Sequence, residues 1–285
     1  MFDGFRLDQV DLGEVALRVR YGGDGPPVVL LHGHPRTHVT WHRVAPALAR
    51  DFTVVCPDLR GYGQSTQPAS DDYSKRAMAA DIRALMERLG HRRFAVAGHD
   101  RGCYVATRLA LDHPDTVTHL AVLDGVPIGA ALARADARFA QLWWHWFFLG
   151  QTAKPAEPII NADPEAWYGL EKVDPVVRED LRAAVTNPAV VHAMVCDYRA
   201  GLRADRDADD ADRRQGRRIG CPTLFAWSAR DDMEQLYDDP LAIWREWADD
   251  VVGVRIDSGH HMAEENPDAL TDALHALLWR GRTRR

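Results

Sequence analysis

The chain has 285 residues, of which 46% are hydrophobic, and it carries a formal net charge of −7 at pH 7. This size and composition suit one large α/β domain, or such a domain with an insertion. The acidic balance argues against nucleic acid or an anionic membrane surface as the main partner.

The amino-terminal residues MFDGFRLDQV lack a charged segment followed by an apolar run, so no signal peptide is predicted. No apolar stretch approaches the roughly 18 residues of a membrane helix. The four cysteines form no C-x-x-C pair, which argues against a zinc or redox motif. We therefore expect a soluble, cytoplasmic protein with reduced thiols and without a metal ion or cofactor.

Short apolar runs alternate with helical patterns along the chain. The apolar runs predict buried strands at 27–32, 52–58, 94–99, 117–124, 222–228 and 251–257. Helical spacing of apolar residues predicts framework helices at 75–89, 101–112, 234–248 and 264–280. This alternation predicts an α/β fold with a mostly parallel central sheet and helices on both faces.

The alternation stops between Asp124 and Cys221. The interval contains the aromatic-rich stretch FAQLWWHWFFLGQ and several helical stretches, and it is too long for a loop. We therefore predict a helical cap at 127–218, inserted into a core formed by 1–126 and 219–285. The mixed charge run RADRDADDADRRQGRR near the end of the cap predicts a solvated helix or loop.

The stretch VAGHDRGCYVA at 96–106 has the layout of a nucleophile elbow, a tight turn from a strand into a helix. Gly98 and Gly102 flank the turn, where small residues relieve crowding. The usual G-x-S-x-G form has a central serine, whereas this chain has Asp100. Because G-x-x-x-G after a strand also occurs as a plain turn, this stretch alone leaves both interpretations open.

Two further segments favour a catalytic interpretation. LLHGHP at 30–35 contains the end of the first predicted strand and the turn after it. In the α/β-hydrolase layout, this turn supplies a backbone N–H group to an anion. The expected donors are His34 and Arg101. DSGHHMAEENP follows the last predicted strand, where the same layout places the catalytic histidine.

A carboxylate nucleophile restricts the reaction. Attack by Asp100 on an ester carbonyl would give a mixed anhydride that is no more stable than the substrate. A carboxylate is already charged at pH 7, so it can attack a saturated carbon without a base and form an alkyl ester. A histidine-activated water can then hydrolyse that ester. The leaving groups that fit are a halide and the alkoxide of an opened epoxide.

The segments GHDRG, LALDHP, AVLDGVP, CDYRAG and WHWFFLGQ resemble the haloacetate (fluoroacetate) dehalogenase family of α/β-hydrolases, and the resemblance covers most of the chain. It implies Asp100 as the nucleophile, Asp124 as the acid and His260 as the catalytic histidine. The implied activity is release of halide from a small 2-haloacid, a small-molecule substrate, and the resemblance implies a homodimer.

The resemblance also implies binding sites for the halide and for the substrate carboxylate. The implied halide ligands are His145, Trp146 and Tyr198, and Arg101 is the implied carboxylate ligand. A departing fluoride or chloride needs converging N–H and O–H donors in a dry pocket. Imidazole, indole and phenol provide such donors without adding a formal positive charge beside the nucleophile.

The chain departs from the family pattern at the predicted carboxylate site. The family has a second arginine four positions after the nucleophile, whereas this chain has Tyr104. His34 also stands where an aromatic or small apolar residue is expected. The predicted anion site comprises Arg101, His34 and Tyr104. Loss of one charge-assisted hydrogen bond typically costs roughly 1.5–3 kcal/mol. Larger, esterified or uncharged substrates therefore come into consideration.

Three alternatives stay open on the sequence. Asp231, which follows the strand at 222–228, competes with Asp124 for the role of the acid. An epoxide hydrolase would use the same nucleophile and histidine, with Tyr104, Tyr168 or Tyr198 protonating the opening oxygen. A non-catalytic binding protein with a hydrolase fold is the third.

Overall fold

The structure, a computed structural model, describes residues 1–281 and contains one eight-stranded sheet in that range. The strands are β1 (Arg6–Asp11), β2 (Ala16–Gly22), β3 (Pro27–Leu31), β4 (Thr53–Pro57), β5 (Phe94–His99), β6 (Val117–Leu123), β7 (Thr223–Ser228) and β8 (Val251–Ile256). Their order across the sheet is β1-β2-β4-β3-β5-β6-β7-β8. The β1–β2 and β2–β4 pairs are antiparallel, and the other neighbours are parallel. The predicted α/β fold with a mostly parallel sheet is confirmed.

The hairpin of β1 and β2 does not follow from the sequence pattern. Every side chain of β1 except that of Val10 is exposed. In β2, the buried residues Leu17 and Val19 alternate with partly exposed ones. An edge hairpin with one covered face has no continuous apolar run, which was the signal for the other six strands.

Fifteen α-helices lie within residues 1–281. They are α1 (Val44–Leu48), α2 (Lys75–Arg88), α3 (Arg101–Asp112), α4 (Ile128–Ala133), α5 (Ala137–Leu142), α6 (Trp144–Leu149), α7 (Glu157–Ala162), α8 (Pro164–Tyr168), α9 (Pro175–Val185), α10 (Pro188–Ala200), α11 (Arg206–Arg214), α12 (Met233–Leu236), α13 (Pro240–Trp247), α14 (Met262–Glu265) and α15 (Pro267–Leu278). Short 3₁₀-helices cover His38–Trp41 and Leu170–Lys172, and a π-helix covers Gly201–Asp205.

Two of the predicted helices are divided in the structure. The predicted helix at 234–248 is α12 and α13, because Asp239 caps the second helix and Pro240 begins it. The predicted helix at 264–280 is α14 and α15, and Asn266 caps α15 in the same way. Proline lacks the N–H that would continue the preceding helix, so each proline starts a new one.

The sheet buries apolar side chains on both faces. On one face, Val29 and Val96 pack in the same cluster as Ile82 of α2. On the other face, Leu30 packs in the same cluster as Leu274 of α15. Neighbouring residues of one strand thus serve opposite layers, as the alternation of side chains in a strand requires. Because helices cover both faces of the sheet, the carboxyl edge of the parallel strands is where a site can form.

Helices α4 to α11 all lie between β6 and β7 in the chain, within the range predicted as the cap. The prediction that the charge run after 203 is solvated is wrong for three of its acids, of which Asp205 is buried beside Lys75. Asp209 and Asp212 are buried, and each forms an ion pair with Arg108 of α3. Alternation of charges does not reveal a partner that is about 100 positions away.

Within residues 1–281, no helix combines the length and the hydropathy that crossing a membrane requires.

Candidate active site

Asp100 lies in the turn between β5 and α3, in the left-handed region of backbone conformation with φ of 50°. Non-glycine residues are uncommon there, and aspartate tolerates the region better than most. A Cβ on Gly98 would overlap the carbonyl oxygen of Gly102, and a Cβ on Gly102 would overlap the carbonyl oxygens of Leu31 and His32. The glycines therefore allow the close approach of strand and helix that projects Asp100 from the sheet edge.

The carboxylate of Asp100 is held by the loop after β3. The backbone N–H of His34 donates to Oδ1 of Asp100 at 2.6 Å. Oδ2 lies 3.8 Å from Nε2 of His260. Burial alone would raise the pKa of Asp100, but the neighbouring His260, His99 and Arg101 hold it well below its usual range. The group is therefore a carboxylate at neutral pH, as a nucleophile must be.

His260 follows β8 and is oriented by carboxylates. Its Nδ1 lies 2.8 Å from Oδ2 of Asp124 and 3.2 Å from Oδ2 of Asp231. Asp124 is held further by the backbone N–H of Ser228 at 2.9 Å and by the hydroxyl of the same residue. The side chain of Asp231 is 32% exposed, against 2% for Asp124. Both acids reach the ring, and Asp124 is the closer and the more rigidly held.

The surrounding carboxylates change the proton affinity of His260. Burial lowers the pKa of His260, but the carboxylates of Asp100, Asp124 and Asp231 outweigh it and raise the pKa well above the ordinary value. The imidazole is therefore protonated while Asp100 is a free carboxylate.

Replacing each candidate acid with asparagine should separate their roles. We expect Asp124→Asn to lower kcat by on the order of a thousandfold or more, because the rigid, buried acid fixes the ring and tautomer of His260. We expect Asp231→Asn to lower kcat less than about tenfold, because a partly exposed carboxylate is screened by water. Steady-state kinetics of the two variants are the measurement, and the opposite ranking would assign the role to Asp231.

A cavity of about 430 Å³ opens above Asp100. Its wall is formed by His34, Pro35, Arg36, Asp100, Tyr104, Asp124, Trp143, Trp144, His145, Trp146, Leu149, Trp167, Tyr168, Tyr198, Asp231, Asp232, His260 and His261. The volume is within the range of roughly 300–1,000 Å³ that is typical of small-molecule sites. The structure thus brings the predicted nucleophile, acid and histidine together with the predicted halide ligands.

The predicted halide ligands present uncharged donors to this cavity. Within residues 1–281, the ring N–H groups of His145 and Trp146 and the hydroxyl of Tyr198 have no protein hydrogen-bond partner. Burial lowers the pKa of His145 to about 4, so this imidazole is neutral at pH 7. Burial also raises the pKa of Tyr198 well above its ordinary value, so the phenol keeps its proton.

The predicted carboxylate ligands are not brought together in the same way. Tyr104 and the ring of His34 line the cavity, whereas Arg101 is not among the described residues of the wall. Arg101 is buried, and it donates to the carboxylate of Asp197 from Nε at 3.1 Å and from Nη2 at 2.5 Å. Its guanidinium stacks on the ring of Tyr198, with the central carbon 4.2 Å from the ring centre.

Several wall residues were not predicted from the sequence. Trp143 belongs to the aromatic-rich stretch, and its indole N–H donates to Asp232 at 2.8 Å. His261, which follows the predicted catalytic histidine, is half-buried and also forms part of the wall. Asp197 lies within the quoted motif CDYRAG, so its position beside Tyr198 was a usable signal. No comparable signal marks Asp232.

Two groups of side chains are close enough to hold a metal ion among the described residues. One consists of His99, Asp124 and His260; in it, Nε2 of His99 lies 2.7 Å from the carbonyl oxygen of His260. That hydrogen bond fits a packing role for His99. The other is Asp71, His192 and Cys196.

The geometry agrees with comparisons to known proteins. A family model described as alpha/beta hydrolase fold matches residues 26–267. A fluoroacetate dehalogenase from a Burkholderia species is 41% identical over 98% of this chain and 95% of its own length. The chain belongs to the haloacetate dehalogenase family of α/β-hydrolases. The family resemblance inferred from its motifs is therefore confirmed, and the protein is a hydrolase.

Other relatives of this α/β-hydrolase carry a different name. A soluble epoxide hydrolase from Corynebacterium sp. strain C12 is 33% identical over 95% of this chain and 93% of its own length. A solved structure from Pseudomonas aeruginosa, described as a candidate epoxide hydrolase, is 43% identical, with a TM-score of 0.91 over 97% of this chain and 96% of that one. Family membership thus leaves the leaving group to be decided by the site.

Proposed function

We propose that this hydrolase displaces halide from carbon 2 of a small haloacid, or of a derivative of its carboxyl group, through an ester of Asp100. The observation that carries the proposal is that a carboxylate nucleophile shares one cavity with three uncharged donors that lack protein partners: His145, Trp146 and Tyr198. Such donors suit a small departing anion in a water-poor site.

In the first step, Oδ2 of Asp100 attacks the halogen-bearing carbon as the carbon–halogen bond breaks. The halide leaves with the bonding electrons, and the donors of the cavity receive it. The N–H of His34 keeps Oδ1 in place, which leaves Oδ2, on the side of His260, free to react. The product is a neutral alkyl ester on Asp100.

The second step is hydrolysis of that ester. Formation of the ester removes one of the carboxylate charges that raise the pKa of His260, so the pKa falls and the ring can lose its proton to solvent. The neutral imidazole then takes a proton from water, which attacks the carbonyl carbon of the ester. Oδ1 becomes the developing oxyanion, and the N–H of His34 is already bonded to it. The intermediate then collapses, the protonated His260 gives its proton to the departing alkoxide, and the carboxyl group of Asp100 passes its proton to His260 and is a carboxylate again.

Epoxide hydrolysis is a second candidate, favoured by one specific observation. Tyr104 and Tyr198 line the cavity, and their hydroxyls have no protein hydrogen-bond partner within residues 1–281. Either hydroxyl could protonate the oxygen of an opening epoxide. The hydroxyl of Tyr168 instead points to the sulfur of Met194, at 3.6 Å.

Halide release distinguishes the two activities directly. We expect the protein to release halide from chloroacetate or chloroacetamide and to convert small epoxides to diols at least about a hundredfold more slowly, measured as kcat/KM. Halide is measured colorimetrically or with an ion-selective electrode, and diol by chromatography. Diol formation without halide release from any halo compound would assign the epoxide activity instead.

A further inference from the structure

We propose that the cavity prefers an uncharged derivative of the haloacid, an amide or an ester, over the free haloacid anion. This inference rests on the proposed Asp100 ester mechanism and specifies its substrate class. Four features carry it: the state of Arg101, the residue at position 104, the balance of charges in the cavity wall, and the kind of hydrogen-bond donors that remain.

The first feature is a buried charge cluster that neutralises Arg101. Asp197 accepts hydrogen bonds from Arg101 and from the ammonium group of Lys75. Asp205 lies 3.8 Å from that ammonium group and accepts the backbone N–H of Lys75 at 2.8 Å. All four side chains are buried. Two cations and two anions thus balance. Nη1 of Arg101 has no hydrogen-bond partner within residues 1–281, but Arg101 is buried outside the described cavity wall and its charge is compensated by Asp197.

The second feature is Tyr104. This residue lines the cavity and is buried against Trp146, with a distance of 5.8 Å between the ring centres. A phenol can donate one hydrogen bond but cannot compensate the charge of a carboxylate.

The third feature is the excess of acids in the cavity wall. Asp100, Asp124, Asp231 and Asp232 all line it. Arg36 also lines it, but its charge is paired with Glu264, which accepts from Nε at 2.8 Å and from Nη2 at 3.2 Å. Among the described wall residues, this leaves His260 as the cation that faces four carboxylates. A free haloacid anion would add a fifth negative charge in a partly dehydrated space.

The fourth feature is that the donors of the wall residues His34, Tyr104, His145, Trp146 and Tyr198 are neutral. Burial lowers the pKa of His34 to about 3, so its imidazole is uncharged at pH 7. Its ring lies against Tyr198, with 5.2 Å between the centres. Neutral N–H and O–H groups are well matched to the carbonyl oxygen of an amide or ester, which needs hydrogen bonds but no counter-charge.

Chloroacetamide and chloroacetate test the inference, because they have nearly the same shape and differ in charge. Halide release by the Asp100→Asn variant is subtracted as background alkylation. Each wild-type kcat/KM is then divided by the rate of the compound's uncatalysed reaction with a small thiol, which corrects for the compounds' different intrinsic reactivity. We expect the amide to be preferred by at least about tenfold. Preference for chloroacetate would overturn the inference and leave the dehalogenase function standing. Absence of Asp100-dependent halide release from both compounds would overturn the function itself.

Tyr104→Arg should shift the preference toward chloroacetate by roughly tenfold to a hundredfold, mainly through KM, because it supplies an unpaired guanidinium. Tyr104→Phe is the matched control, and its preference should still favour the amide. An unchanged ratio in Tyr104→Arg would contradict the inference.

Competitive inhibition of the wild type by acetamide and acetate needs no variant, so it decides the question even if Tyr104→Arg does not fold. At constant ionic strength, we expect acetamide to inhibit more strongly than acetate. Stronger inhibition by acetate would overturn the inference.

Discussion

Asp100→Asn should abolish turnover, lowering kcat by on the order of 10⁴ or more. The amide oxygen of asparagine carries no charge and cannot attack a saturated carbon at a useful rate. The fold should survive, because asparagine also tolerates the left-handed conformation that Asp100 adopts with φ of 50°. Halide release over many turnovers measures the effect, and circular dichroism measures the fold.

Asp71→Asn is the matched control for this variant. Asp71 also has a positive φ, of 56°, and its side chain is 60% exposed outside the cavity. We expect its activity to equal that of the wild type. Mass spectrometry must show that the asparagine introduced in place of Asp100 has not deamidated to aspartate. Full activity of an Asp100→Asn protein that has not deamidated would show that Asp100 is not the nucleophile and would favour an unrelated catalytic group.

His260→Asn should stop the reaction after its first step. His260 is required to activate water against the ester but not for the displacement by Asp100. We therefore expect one equivalent of halide per active site, a covalent adduct on Asp100 in the intact-protein mass, and steady-state turnover reduced by on the order of 10⁴ or more. His275→Asn, which changes a histidine outside the cavity wall, is the control and should turn over normally.

The same adduct should accumulate in the wild type as the pH falls. The pKa of Asp100 lies well below its usual value, so the nucleophile stays ionised in mild acid. His260 must be neutral to accept a proton from water, and acid shifts it to the protonated form. Lower pH should therefore slow ester hydrolysis while the displacement continues, which rapid quenching and mass spectrometry can follow. Continued turnover of His260→Asn, or an adduct that disappears at low pH, would contradict this division of roles.

The ion pair of Arg101 shows which part of the site the sequence predicts and which part it does not. Its position after the nucleophile is visible in the motif GHDRG, and so is its expected role toward a carboxylate. Its actual partner, Asp197, lies 96 positions further along the chain. Asp197 lies beside Tyr198 on α10 of the inserted helical segment, and only the tertiary fold brings its carboxylate to Arg101 at the start of α3. No local pattern encodes that contact.

The choice between Asp124 and Asp231 depends on tertiary structure for a similar reason. Both follow strands, and β6 and β7 are neighbours in the sheet, so both acids emerge at the same edge. Chain order places each near His260 and cannot rank them. The distances to Nδ1 and the hydrogen bonds from Ser228 distinguish them, and those depend on how the loops after the two strands pack.

The sequence by itself determined the features that are local. The alternation of apolar runs and helical patterns determined the α/β fold, because buried parallel strands require continuous apolar segments. The strand, turn and helix around Asp100 lie within about a dozen residues, so their spacing alone determined the elbow and its carboxylate chemistry. The tertiary structure alone decided which charges face the cavity and which are already paired, because those pairs join residues about 100 or more positions apart. The balance of charges depends on how the site is assembled. The tertiary structure therefore decides which substrate charge the cavity favours.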